Sequence, residues 1–107
     1  MLRPNQFHVL LALADEDRHG SAIADDVLEQ TEGGVRLWPA TLYRTLDEMV
    51  EAGLIEELTG ERHPDGESKR RRYYTATPRG REALSDAARR MQSLAGSAQS
   101  RLERAPS

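Results

Sequence analysis

The sequence contains no cysteine, which excludes disulfide staples, thiolate zinc sites, iron–sulfur clusters and cysteine nucleophiles. Long apolar runs are also missing. The longest is the six residues from Val9 to Ala14, against the roughly 20 that a membrane-spanning helix needs. No basic-then-apolar leader opens the chain, so a cytoplasmic protein with no membrane partner is expected. His8, His19 and His63 share no i, i+4 spacing and have no HExxH context, which argues against a metal site. A nucleophile elbow, a glycine-rich phosphate loop and a signature for paired catalytic carboxylates are absent too. The expectation is a protein that is not an enzyme and needs no cofactor.

What is present fits one domain: 107 residues with a mass of 12.0 kDa. Hydrophobic residues make up 37% and charged residues 31%, a polar balance that leaves a thin core for a second chain to complete. The net charge of -3 conceals an asymmetry. Residues 1–60 carry twelve acidic side chains against four arginines, whereas residues 61–107 carry six against eleven lysines and arginines. A basic surface in the second half is therefore compatible with an acidic whole.

Phe7, Leu10, Leu11 and Ala14 follow i, i+3, i+4, i+7 spacing and predict a helix over about 4–14 with those residues inward. After the His19-Gly20 turn, where Gly20 can take a positive φ, Ser21 is suited to cap a second helix carrying Ala24, Val27, Leu28 and Thr31. Gly33-Gly34 ends it. Pro39 sits where a first helical residue belongs, and Leu42, Leu46, Met49 and Val50 give the third helix its inward face, with Gly53 just past its end.

Beyond Gly53 the period shortens. Residues 54–58 and 70–76 read as two strands joined by a charged tip with an Asp65-Gly66 turn. Thr77-Pro78 then opens a long fourth helix whose narrow stripe is Leu84, Ala87, Ala88, Met91, Leu94, Ala95 and Ala98. Three helices followed by a hairpin is the order of a winged helix-turn-helix: mostly α, with a two-stranded β-wing. The expected boundaries are residues 1–76 for that domain and 77–107 for a C-terminal helix.

The chain resembles the PadR family of transcriptional regulators over nearly all its length. The resemblance is carried by Leu10-Leu11-Ala12-Leu13 with His19-Gly20, by Pro39-Ala40-Thr41-Leu42-Tyr43 with Leu46, by Glu51-Ala52-Gly53-Leu54-Ile55, and by Arg71-Arg72-Tyr73-Tyr74 with Thr77-Pro78-Arg79-Gly80. It implies a homodimer, built on the last helix with help from the first, that binds a palindromic double-stranded DNA operator, acts as a repressor and is released by an effector of unknown identity. Phe7, Leu10 and the fourth-helix stripe would form the dimer interface. Ser21 and Ala22 stand where relatives commonly have an aromatic and an acidic residue, and the last helix carries no aromatic residue to stack a flat drug.

The outward face of the third helix displays Ala40, Thr41, Arg44, Asp47, Glu48 and Glu51. Small and basic residues come first and carboxylates last, the polarity a recognition helix needs when its N-terminal half enters the major groove. Pro39, Ala40, Thr41, Tyr43 and Arg44 are the candidate DNA contacts there. Arg44 has the planar fork that pairs bidentately with guanine, although Glu48 at i+4 could bind it instead. Tyr43 either donates to a phosphate or covers the edge of the core. Lys69, Arg70, Arg71 and Arg72 are the candidate phosphate contacts on the wing, with a strand edge guarded by charge as the plainer reading. Trp38 reads as a large side chain closing the core. Gly80, costly in a helix, suggests close packing against a neighbour. The competing class is a winged-helix docking module for protein partners, which an acidic chain suits.

Overall fold

The computed structural model describes residues 1–64 and 71–106, which include four helices and three short strands. Helix α1 spans Pro4–Ala12, strand β1 Arg18–His19, α2 Gly20–Gln30, α3 Pro39–Glu51, β2 Ile55–Leu58, β3 Tyr73–Ala76 and α4 Pro78–Arg104. The strands form one antiparallel sheet in the order β1-β3-β2. Tyr74 pairs with both Glu57 and Arg18, which fixes the register of the wing on the body. The added strand, β1, was invisible in the sequence because two residues have no periodicity of their own and become a strand only by pairing with β3.

Helix α1 buries Val9, Leu10, Ala12 and Leu13 completely, while Leu11 remains 41% exposed. At 100° per residue the four buried positions share one arc and Leu11 points away from its centre. The expected inward placement of Leu11 is therefore wrong, and the helix ends at Ala12 rather than near Ala14. His19, not Ser21, caps α2: its Nδ1 accepts the Ala22 N–H at 3.2 Å. Gly20 has no positive φ. It is needed for space instead, since a Cβ there would lie 2.5 Å from the Tyr43 hydroxyl.

Helix α3 starts at Pro39 and is followed by Gly53 at φ +76, as expected. Leu42, Leu46 and Met49 are buried, but Val50 keeps 37% of its surface exposed. In the extended segment ahead of α3 only one of two adjacent apolar side chains can face inward. Leu37 takes that place, and Trp38 stands 64% exposed, which corrects its expected role in the core.

Helix α4 is docked only at its start. The Thr77 hydroxyl accepts the Gly80 N–H at 3.0 Å and donates to the Gly53 carbonyl at 2.6 Å. Gly80 lies against the backbone of Leu54, as its cost in a helix suggested. From Arg89 through Pro106 every residue is exposed, and the molecule extends 63 Å along its longest axis. Met91, Leu94 and Leu102 thus put an apolar stripe into solvent. Among the described residues no helix is long and apolar enough to cross a membrane.

Candidate nucleic-acid interface

The outer side of α3 carries the residues that the sequence placed there. Pro39, Ala40 and Arg44 are exposed and Thr41 is half-buried, with Asp47, Glu48 and Glu51 exposed toward the other end. Thr45 faces inward with Leu42 and Leu46, so the helix has one interior and one exterior side. Among the described residues Arg44 forms no ion pair, and the bridge to Glu48 that i+4 spacing permits is not made.

Tyr43 is half-buried between α2 and the wing. Its hydroxyl abuts Gly20, and the Arg72 guanidinium lies 5.6 Å from its ring centroid. It therefore covers the edge of the core and sits beside the candidate site at once.

Among the described wing cations Arg72 is the most engaged. Its Nη2 donates to Glu57 Oε1 at 2.9 Å and to Asp47 Oδ1 at 3.2 Å, and its ring neighbours are Tyr43 and Tyr74. The hydrogen bond to Glu57 raises its pKa above an already high ordinary value. Beneath it, burial pushes the Tyr74 phenol up to about 12. Among the described residues, the Tyr74 hydroxyl has no hydrogen-bond partner.

Arg71 is exposed just ahead of β3, with Nη1 3.5 Å from His19 Nε2, and its carbonyl accepts from His63 Nε2 at 2.6 Å. Tyr73 is flanked edge-on by the rings of His19 and His63. Two of the three histidines thus brace the wing, and His8 clamps α1 to α2 by donating from Nδ1 to Gln30 Oε1 at 2.9 Å. Lys69 and Arg70, with the Asp65-Gly66 turn, lie outside the described residues. Arg81, farther along, donates to the Ala14 carbonyl at 2.9 Å.

The outer face of α3, with Arg44 on its early turns and carboxylates on its later ones, stands beside the braced strands β2 and β3, and the chain is similar to known proteins. The profile of the transcriptional regulator PadR-like family matches residues 9–86. The chain is also 36% identical over 90 residues to the transcriptional regulator Rv3488 of Mycobacterium tuberculosis, covering 84% of this chain and 78% of that protein. The chain belongs to the PadR-like family of transcriptional regulators. That family is non-enzymatic and DNA-binding. Among solved structures, RosR of H. salinarum is similar at a TM-score of 0.69 with 30% identity, covering 86% of this chain and 76% of that one. A PadR family regulator from Clostridium difficile R20291 shares the fold at a TM-score of 0.73 and 22% identity, covering 92% and 97% of the two chains.

Within this PadR-like chain the expected interface residues separate into two groups. Leu10 is fully buried in the chain's own core, where Gly80 packs over it, so it is not available to a second subunit. Ala87 is likewise buried, and Leu84 and Ala88 are half-buried. Phe7, Met91 and Leu94 instead line an open apolar groove of about 390 Å³ between α1 and α4. Ala95 and Ala98 continue the exposed side. The sequence placed Trp38 in the core and did not single out Arg36, whose guanidinium lies 5.1 Å from the indole centroid.

Proposed function

We propose that this chain is a dimeric repressor that binds a palindromic operator and blocks the promoter. Helix α3 enters the major groove with Ala40, Thr41 and Arg44 at the base edges. Tyr43 donates to a phosphate, and Arg71, with Lys69 and Arg70, holds phosphates beside it. The observation that carries this reading is the exposed Arg44 on the first turns of α3, without an ion-pair partner among the described residues, with the carboxylates confined to the later turns. That order attracts the polyanion to one end of the helix and keeps it from the other.

The dimer forms through the exposed stripe of α4, with Phe7 of α1 at its edge. Twofold pairing covers Met91 and Leu94, which one copy leaves in solvent. It sets two copies of α3 on half-sites about one DNA turn apart. An effector releases the operator by changing the angle between the two heads.

The test is Arg44→Ala on duplexes enriched from a randomised pool by the full chain. The expected result is about a tenfold or greater loss of affinity, with circular dichroism unchanged. Unchanged affinity removes Arg44 from the reading set.

A further inference from the structure

We propose that Arg36 and Trp38 form a second DNA contact, gripping the sugar–phosphate backbone beside the base pairs that α3 reads; this rests on the DNA-binding reading above. The segment leading into α3 is extended at Trp38 (φ -69, ψ 152), so its side chains alternate. Leu37 is buried, and its two neighbours therefore stand together outside. Trp38 caps α3 with no side-chain hydrogen bond and immediately precedes Pro39, Ala40 and Thr41. The pair thus sits at the end of the helix that carries the candidate base contacts.

The chemistry of the pair selects its ligand. The guanidinium lies within the roughly 6 Å range of a cation–π contact, which orients it without neutralising its charge. Among the described residues Arg36 has no ion-pair partner, as Arg44 has none, unlike Arg72, which is held by Glu57 and Asp47. Asp25 lines the same shallow recess but does not pair with it. The Arg36 fork is free to meet a phosphate, the indole N–H can only donate, and the ring face offers apolar area to a deoxyribose. A donor-only polar set with positive charge matches a phosphodiester backbone better than a protein surface of mixed polarity.

Trp38 is the only tryptophan, so its emission reports on this position alone. The full chain is titrated with duplexes that it has enriched from a randomised pool, while anisotropy of labelled DNA measures binding independently. The expected result is a change in Trp38 emission that tracks binding. Trp38→Ala and Arg36→Gln should each lose about five- to tenfold in affinity, with Trp38→Phe losing less. Hydroxyl-radical protection should disappear only from the backbone flanking each half-site. Should Trp38→Ala fail to fold, Arg36→Gln carries the test, since its side chain lies outside the core. Wild-type binding with unchanged emission and variants of wild-type affinity overturns the contact and leaves the DNA reading standing. Failure of the wild type to bind any duplex overturns both. Emission that responds to protein dilution and not to DNA shows the ring covered by a second copy, which also overturns it.

Discussion

Arg72, just ahead of β3, donates to Asp47 on α3 across 3.2 Å while holding Glu57 of β2 at 2.9 Å. One guanidinium thus ties the wing to the outer face of α3. Both carboxylates and the arginine are partly in water, so the individual pairs are screened and modest. Arg72→Ala and Asp47→Ala should couple by about 0.5–1 kcal/mol in a double-mutant cycle of urea unfolding. Arg72→Lys should not restore the coupling in full, because an ammonium has no second nitrogen to replace Nε, which also holds Glu57 at 3.2 Å while Nη2 reaches Asp47. Additive effects would show that the pair is not formed in solution.

The close approach of Gly80 gives a sharper stability test. A Cβ there would lie 2.0 Å from the Leu54 carbonyl oxygen, a backbone atom that also accepts the Thr77 N–H. Gly80→Ala should therefore destabilise by more than about 2 kcal/mol despite the better helix propensity of alanine. Gly96, on the free part of α4, meets nothing within 4 Å. There the same substitution should stabilise by about 0.5–1 kcal/mol. Urea midpoints of the two variants check both signs.

Tyr74 makes stability depend on alkaline pH. Its folded pKa, pushed up to about 12 by burial, exceeds the ordinary phenol value. The folded state keeps its proton where the unfolded state has lost it. This contribution is full below about pH 10 and is lost as the pH rises toward the folded value. Tyr74→Phe should flatten the decline above pH 10 and cost little at neutral pH, since the hydroxyl has no hydrogen-bond partner among the described residues. Thermal unfolding as a function of pH measures it; an equal decline in both proteins would contradict the assignment.

The exposed stripe of α4 should show itself in oligomeric state. Leu94 is 70% exposed, so Leu94→Lys leaves the core of the single chain intact and charges the face on which a second copy would sit. Sedimentation is expected to shift from dimer to monomer, with the unfolding of the isolated head preserved. A dimer unaffected by the substitution would place the interface elsewhere.

Much of the architecture could be read from local chemistry. Pro39 and Pro78 marked helix starts because a proline lacks the N–H that a first turn leaves unpaired, and Gly53 marked an end because its φ is +76. The outer face of α3 followed from the wheel. Relationships across the fold were not legible. Arg72 and Asp47 are 25 residues apart, β1 exists only through β3, and a hydrophobic segment containing both Leu37 and Trp38 does not announce which one turns inward. Leu11 failed for a related reason: spacing defines a face, but the neighbours decide which arc is buried.

The central claim is that α3 and the wing meet the phosphates of a duplex, and a salt titration tests it most directly. The affinity of the full chain for an enriched duplex is measured across a range of ionic strength. The account expects log affinity to fall linearly with log salt, with a slope of roughly -0.9 for each phosphate contacted and several phosphates per dimer. Absence of binding at low salt, or binding that does not change with salt, would contradict it and favour a domain that docks on protein.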